Sequence, residues 1–243
     1  MQCRKHSLCA IAWLLTSFCG LVDAADVIAF TVPSSILPNA SQIMDPRFAG
    51  FGIEFSNTFS FTGTTASPNT FSYNLIANLA KLAGVPPCFR IGGNTQDNAI
   101  YQENFTSSFI GRNPDPTTRD VTGYVPFDND IYGPELFKAL ETFPVGTQFI
   151  FGLNLAYQNS DYITKITAAA SAALSALNSN LYSFEIGNEP DLYASTAPYR
   201  IGQNWGGPSY VSEWVDRASA IQSQVFPCCW LCLEIGSQPC WAP

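Results

Sequence analysis

The chain has 243 residues, of which 47% are hydrophobic, 14% aromatic and only 12% charged. This composition can fill a hydrophobic core, so it excludes intrinsic disorder, collagen and coiled coil. The formal net charge is −8 and no basic run lies beyond the first few residues, which excludes nucleic acid as a partner because phosphate backbones are bound through clustered Lys and Arg.

The first 24 residues have the pattern of a secretory signal peptide. Arg4 and Lys5 give a positive start, residues 8–22 are uncharged and mostly apolar, and Ala24 ends a stretch typical of a cleavage site. A transmembrane anchor needs about 20 apolar residues, more than this run offers. We expect cleavage after Ala24 and a secreted, extracellular product that is not attached to the membrane. Glycosylation sequons at Asn39 and Asn104 agree with secretion.

Cysteine usage is uneven and does not indicate a disulfide scaffold. Cys88 stands alone between three cysteines in the predicted signal peptide and four in the last sixteen residues. Cys229 and Cys232 have the spacing of half a zinc site, but the second half is missing and the only histidine, His6, lies in the signal peptide. No Gly-rich phosphate loop is present, and the mature chain would have no histidine for Ser-His or Cys-His catalysis. We expect neither a metal nor a cofactor.

The mature part alternates between strand and helix patterns. Strands are predicted at residues 27–32, 49–55, 87–93, 148–154 and 181–187. Helices are predicted at residues 67–84, 134–142, 161–178 and 209–224, with their Leu and Ala stripes in the core. The last four strands and the four helices make four strand-helix units, which imply parallel strands joined by right-handed crossovers.

Such repetition fits either a doubly wound sheet or part of a (β/α)₈ barrel. A dinucleotide-binding sheet needs Gly-x-Gly-x-x-Gly after its first strand, which residues 51–54 do not provide. In a barrel, polar residues gather just past the carboxyl end of each strand. Here they are Glu54, Ser56 and Asn57; Arg90, Asn94, Gln96 and Asp97; Asn154 and Tyr157; Asn188, Glu189 and Asp191. The pattern favours the barrel.

The cluster after the last predicted strand gives the clearest indication of a catalytic group. We expect the Glu189 carboxyl group, beside Pro190 and apolar and aromatic neighbours, to be partly desolvated and therefore suited to donate a proton. Asn188 can donate to a sugar hydroxyl, and cleavage of an acetal needs such an acid and a second carboxylate. Glu185 lies in the last strand with the parity that faces the barrel centre, and a buried partner of Arg90 is favoured over a catalytic role. On residue types alone, an exposed turn is the favoured interpretation of this cluster, since Asn, Glu, Pro and Asp are ordinary loop residues.

Two motifs in order sharpen this interpretation. Residues 89–94, Phe-Arg-Ile-Gly-Gly-Asn, and residues 186–190, Ile-Gly-Asn-Glu-Pro, resemble glycoside hydrolase family 79, the fungal β-glucuronidase and heparanase-like family. The resemblance implies a (β/α)₈ barrel that removes β-linked glucuronic acid from glycans or glycoconjugates, with retained configuration and without a metal. It implies Glu189 as general acid/base, Asn188 at the sugar 2-hydroxyl, and Arg90 steadying the nucleophile.

Other polar and aromatic residues have two interpretations. Beside Asn188 and Arg90, the candidate sugar-binding residues are Asn94, Gln96, Asp97 and Glu54. Gln96 and Asp97 alternatively cap the segment that follows them. Trp205 and Tyr193 either form a platform for a sugar ring or, the favoured interpretation, pack within their loops.

The chain departs from the family pattern in length. A full barrel has eight units, and the family adds a β-sandwich domain, to which the strand at 27–32 would belong. The nucleophile Glu belongs at the seventh strand, and Glu234 follows the fourth helix too closely to take that place. We expect a signal peptide at 1–24, the N-terminal half of a (β/α)₈ TIM barrel at 25–226, and an aberrant Cys-rich tail at 227–243.

A half barrel has consequences for stability and activity. Two strand edges and an apolar inward face would be exposed, which favours aggregation or pairing with another chain. We expect the truncated chain to be unstable or inactive. The alternatives are a secreted, non-catalytic carbohydrate-binding fragment and a barrel glycosidase with another sugar specificity.

Overall fold

The computed structural model describes residues 44–116, 127–195 and 203–226, together with residues 35, 40 and 41. The strands are β1 (Phe51–Glu54), β2 (Phe89–Gly92), β3 (Ala99–Tyr101), β4 (Gly111–Arg112), β5 (Asp130–Tyr132), β6 (Phe149–Leu153) and β7 (Leu181–Ile186). The helices are α1 (Thr58–Thr62), α2 (Thr70–Ala83), α3 (Pro134–Leu140), α4 (Tyr162–Leu177) and α5 (Gly207–Val225). Among these described helices, none is long and apolar enough to cross a membrane.

The main sheet has four parallel strands in the order β1-β2-β6-β7. A helix lies between each pair of successive strands, and α5 follows β7. Parallel neighbours require such crossover connections because the chain must return to the same end of the sheet. The predicted α/β class, with parallel strands joined by helices, is confirmed.

Local signals set the helix boundaries. The Asn69 side chain accepts from the backbone N–H of Ser72 at 3.2 Å and so caps α2, and Gly84 ends that helix in the left-handed region at φ 84°. Asp161 precedes α4, but its side chain does not cap the helix. Its carboxylate instead accepts from the hydroxyl of Tyr157 at 2.9 Å, which fastens the loop after β6 to the start of α4.

A second sheet is formed by residues between β2 and α3, where the sequence predicted no strand. β5 pairs in parallel with β3 and antiparallel with β4. These strands have two or three residues each, too few for a hydrophobic alternation to show in the sequence. Asn104 lies in this region and is exposed. The predicted signal peptide, the strand at 27–32, Asn39 and the tail at 227–243 lie outside the described residues.

One face of the main sheet is the core. Ile53, Ile91 and Phe151 lie side by side in register and are almost fully buried. They belong to one cluster with Ala170 and Ala173 of α4, so the predicted Ala stripe is core. Burial of each large apolar side chain contributes about 1.5–3 kcal/mol relative to exposure.

The opposite face of the sheet is not the apolar surface that we expected. Register and alternation place six residues on this face: Gly52, Arg90, Gly92, Ile150, Gly152 and Glu185. Ile150 is the one aliphatic residue among these six. A Cβ atom at Gly92 or at Gly152 would collide with Oε1 of the buried Gln96, which lies in the loop after β2. The two glycines therefore make room for a polar side chain to lie across the sheet.

The Leu stripe of α2 is not core, contrary to the prediction. Phe71, Leu75 and Leu82 are 71%, 50% and 86% exposed, whereas Ile76 on the inner side of the helix is buried. Val211 and Val215 of α5 are exposed as well, so exposed apolar faces lie on the helices at both ends of the strand order. The stripe is exposed because β1 is an edge strand, and no helix of the described residues continues the layer beyond it.

The exposed α2 face predicts self-association. Replacing Leu75 and Leu82 by Gln should lower the fraction of oligomer in size-exclusion chromatography with light scattering, and should change the free energy of unfolding by no more than about 0.5 kcal/mol. The control Ile76→Gln, on the buried side of the same helix, should destabilise the fold by several times that amount. Unchanged association of the double variant would contradict the prediction.

Candidate active site

The carboxyl ends of the four parallel strands meet at one edge of the main sheet, and most of the predicted site residues lie there. Glu54, at the end of β1, accepts from the backbone N–H of Asn94 at 3.1 Å and of Thr95 at 2.8 Å. Both of its carboxylate oxygens are thus engaged by the turn that follows β2. In this chain Glu54 shapes the floor of the site by holding that turn against β1.

Arg90 connects two strands across the sheet. Its Nε donates to Glu185 Oε2 at 2.6 Å and its Nη2 donates to Asn188 Oδ1 at 2.8 Å. The predicted partnership of Arg90 and Glu185 is confirmed. The pair is less buried than expected, since the two side chains are 31% and 36% exposed, because it lies on the open face of the sheet. An ion pair this accessible is screened by solvent and contributes little to stability.

The Asn188 amide has a fixed orientation. Because its oxygen accepts from Arg90, its nitrogen faces the other way and donates to Asn94 Oδ1 at 2.9 Å and to Glu189 Oε2 at 3.4 Å. Asn188 is 9% exposed, whereas Asn94 and Glu189 are exposed. We call Asn94, Asn188 and Glu189 the rim, a row of amide and carboxyl groups that a polar ligand can reach.

Glu189 is exposed rather than partly desolvated, so the expected burial of this carboxyl group is wrong for this chain. The physical reason is its position after β7, the edge strand of the main sheet, beyond which no strand of the described residues follows. Its backbone lies in the left-handed region at φ 47° and ψ 53°. A non-glycine residue in that region stores about 1–3 kcal/mol of strain, which is typical of functional sites.

Gln96 and Asp97 do not line the site, as one interpretation had them; they support it from below. Both side chains are almost completely buried, so a ligand cannot reach them. Gln96 Oε1 accepts from the backbone N–H of Gly93 at 3.1 Å, and its amide donates to the carbonyl of Leu153 at 3.4 Å. The side chain therefore holds the turn after β2 to the end of β6.

The Asp97 carboxylate lies beneath the rim and accepts several hydrogen bonds. Its Oδ1 accepts from the Leu155 N–H at 2.9 Å, and its Oδ2 accepts from the Asn188 N–H at 2.8 Å and from the Tyr193 hydroxyl at 2.6 Å. Burial raises the pKa of Asp97 to about 6, and these hydrogen bonds to the carboxylate limit the rise. The residue was a candidate from the sequence, but its partners were not foreseeable because they lie 58 to 96 residues further along the chain.

Tyr193 and Trp205 pack within the loop after β7, as favoured. Their rings stack with centroids 5.4 Å apart, and Tyr193 is fully buried. Trp205 Nε1 donates to the carbonyl of Pro190 at 2.6 Å. Asn154 likewise serves the loops, because its amide donates to the Phe127 carbonyl at 2.8 Å. These residues support the rim and do not form a platform for a ring.

Enzymes built on parallel α/β sheets place their active sites at the carboxyl ends of the strands, and carboxylates are the groups with which glycosidases act. The chain is similar to a β-glucuronidase of Aspergillus niger, with 34% identity over 200 residues that cover 82% of this chain and 36% of that protein. It is also similar to a β-glucuronidase of Neurospora crassa, with 32% identity over 72% of this chain and 31% of that protein. The chain therefore spans about a third of the length of these relatives.

The structural comparison points the same way. The fold matches the crystal structure of a 4-O-α-L-rhamnosyl-β-D-glucuronidase from Fusarium oxysporum with a TM-score of 0.61 and 25% identity, over 81% of this chain and 39% of that one. No protein-family model matches the chain. The chain belongs to the family of these fungal β-glucuronidases, which confirms the resemblance seen in the two motifs.

Substitution of Gly187, in the loop that carries the rim, should destabilise the fold. A Cβ there would lie 2.7 Å from Leu155 Cβ, and the backbone has φ 83°, so Gly187→Ala should destabilise the fold by about 2–3 kcal/mol. Gly52→Ala is the matched control, because no atom lies within 4 Å of its added Cβ. Urea unfolding of both variants checks this, and equal losses would contradict it.

Asp97 predicts a pH dependence of stability. Its pKa of about 6 lies above the ordinary value of 3.8, so the folded state holds the proton more tightly and stability falls as the pH rises between these values. The loss should be on the order of 3 kcal/mol and complete above pH 6 to 7. Asp97→Asn should flatten this part of the curve in urea unfolding measured from pH 4 to 7. A slope that persists in the variant would assign the effect to other groups.

Proposed function

We propose that this chain carries the proton-donor half of the active site of a retaining β-glucuronidase of glycoside hydrolase family 79, with Glu189 as the general acid/base. The single observation that carries the proposal is the contact between Glu189 and Asn188 at the rim, with the Asn188 amide turned toward Glu189 by Arg90. The names of the fungal relatives support β-linked glucuronic acid as the sugar.

The chemistry follows from these positions. Glu189 would protonate the leaving oxygen of the glycosidic bond, and the Asn188 nitrogen, which faces the rim, would exchange its hydrogen bond to Asn94 for one to the sugar 2-hydroxyl. A second carboxylate about 5–5.5 Å away must then capture the oxocarbenium-like carbon. Glu54 and Glu185 are already engaged, by backbone N–H groups and by Arg90. The family pattern assigns the nucleophile to neither of them, so we expect the 243-residue chain to bind the sugar without cleaving it.

The proposal includes a half barrel. Within the described residues, β1 and β7 lie at the edges of four parallel strands and apolar helix faces are exposed at both ends, as the N-terminal half of a (β/α)₈ barrel would have them. It also includes secretion with cleavage after Ala24, and a strand at 27–32 that belongs to a β-sandwich. The exposed position of Asn104 is compatible with glycosylation.

A second candidate function is non-catalytic carbohydrate binding by a secreted fragment. The accessible rim favours it, because Asn94, Asn188 and Glu189 offer amide donors and a carboxylate acceptor that need no further part of the site. A different sugar is the third candidate. The structural relative is named for a glucuronic acid that carries a 4-O-rhamnosyl group, so that disaccharide is the natural alternative ligand to compare.

Activity and binding assays separate these functions. The purified chain should not hydrolyse p-nitrophenyl β-D-glucuronide above the level of Glu189→Gln, but it should bind glucuronic acid in calorimetry. Asn188→Ala should weaken binding by about tenfold, because it removes the amide that faces the ligand. Asn74→Ala, on an exposed face of α2, is the control and should bind normally.

Each alternative outcome has a distinct meaning. Turnover that Glu189→Gln abolishes would refute inactivity while supporting Glu189 as the acid. Preference for the rhamnosylated disaccharide or for a neutral sugar would reassign the specificity. No binding of any of these sugars by the wild-type chain would refute the proposed site.

A further inference from the structure

We propose that Asp97 is the positioning residue of this site: from beneath, its carboxylate holds the loops after β6 and β7 together and thereby fixes the Asn188-Glu189 pair at the rim. The inference rests on the proposed function only for the identity of the sugar. Asp97 itself touches no ligand, because its side chain is fully buried.

The geometry gives Asp97 control of Asn188. The Asn188 backbone N–H donates to Asp97 at 2.8 Å while its side-chain oxygen accepts from Arg90 at 2.8 Å, so the residue is held at two points. With both points fixed, the direction of the Asn188 amide nitrogen toward Glu189 follows. The Leu155 N–H, on the other carboxylate oxygen, ties the loop after β6 to the same group.

The loop after β7 has little freedom to reach this arrangement without Asp97. Gly187 and Glu189, on either side of Asn188, both have positive φ angles of 83° and 47°. A Cβ at Gly187 would lie 3.0 Å from the Tyr193 hydroxyl, the group that donates to Asp97. The Asn188 N–H and the Tyr193 hydroxyl both donate to the Asp97 carboxylate, and Gly187 packs closely against the Tyr193 hydroxyl. These contacts hold the strained backbone in place.

The energetics of Asp97 favour a role in the site over a role in stability. Its hydrogen-bond donors are backbone N–H groups of Leu155, Ala156 and Asn188 and the Tyr193 hydroxyl, with no cation among them. A buried carboxylate without a counter-ion costs stability, as its raised pKa shows. Natural cores retain such groups where they organise a functional site.

Several charged and titratable groups surround this network. Tyr193 contacts the carboxylate directly from the loop after β7. Arg90 and Glu189 contact the Asn188 side chain, and Glu185 reaches the network through Arg90. From the loop after β6, Leu155 and Ala156 present backbone N–H groups to Asp97.

Amide NMR on the ¹⁵N-labelled 243-residue chain tests the proposal without any sugar. The Leu155 and Asn188 amide protons, on different oxygens of one carboxylate, should shift with the same midpoint near pH 6. Asp97→Asn should abolish both titrations, and Asp191→Asn, the same change at an exposed site in the same loop, should preserve them. Different midpoints, or titration that survives in Asp97→Asn, would overturn the proposal.

Hydrogen exchange distinguishes positioning from general stability. Asp97→Asn should speed exchange of the Asn188 amide by about tenfold or more while Ile91, in the centre of the sheet, keeps its rate. Equal acceleration at both amides would mean that Asp97 is merely structural and would overturn the proposal. Tyr193→Phe, which removes one donor and keeps the ring, should give a smaller local effect.

Sugar binding then links the position of the rim to its function. Asp97→Asn should weaken glucuronic acid binding by about tenfold, whereas the control Asp216→Asn, on an exposed face of α5, should leave binding unchanged. If the wild-type chain does not bind the sugar, the proposed function fails while the NMR and exchange results still decide the role of Asp97. Wild-type binding that Asp97→Asn leaves intact would refute the positioning role.

Discussion

The structure of the site depends on holding Asn188 at two points. Arg90 fixes its side chain from the open face of the sheet, and Asp97 fixes its backbone from beneath. The Arg90 contact lies at the surface and sets the direction of the Asn188 amide. The Asp97 contact is buried and holds the Asn188 backbone rigid. Because Glu189 follows Asn188 directly in a left-handed conformation, its carboxyl group can occupy the rim only where this neighbour is held.

The glycines of the sheet serve the same constraint. Gly92 and Gly152 leave a space on the open face that Gln96 fills, and that side chain joins the ends of β2 and β6. A sheet with larger residues there would bury more apolar area but would lose the polar support for the turn after β2. The open face is therefore polar, while the helix-covered face, with Ile91 and Phe151 at its centre, supplies the hydrophobic stabilisation.

Much of this arrangement could be predicted because it depends on local signals. Asn69 and Gly84 bound α2 through capping and left-handed geometry, which act within a few residues. The Arg90–Glu185 pair was predictable because strand alternation puts both residues on one face. The short strands β3 to β5, by contrast, have too few residues for a pattern, and their stability comes from pairing between distant segments.

The sequence by itself determined the α/β class, the four strand-helix units and the residues gathered at the strand ends, since these follow from periodicity and from short motifs. Only the tertiary structure decided which of them face a ligand. Exposure of Glu189 and of the α2 stripe depends on which strands lie at the edges, and burial of Asp97 depends on Leu155, Asn188 and Tyr193 folding over it. Burial is set by contacts between residues far apart along the chain, which spacing cannot reveal.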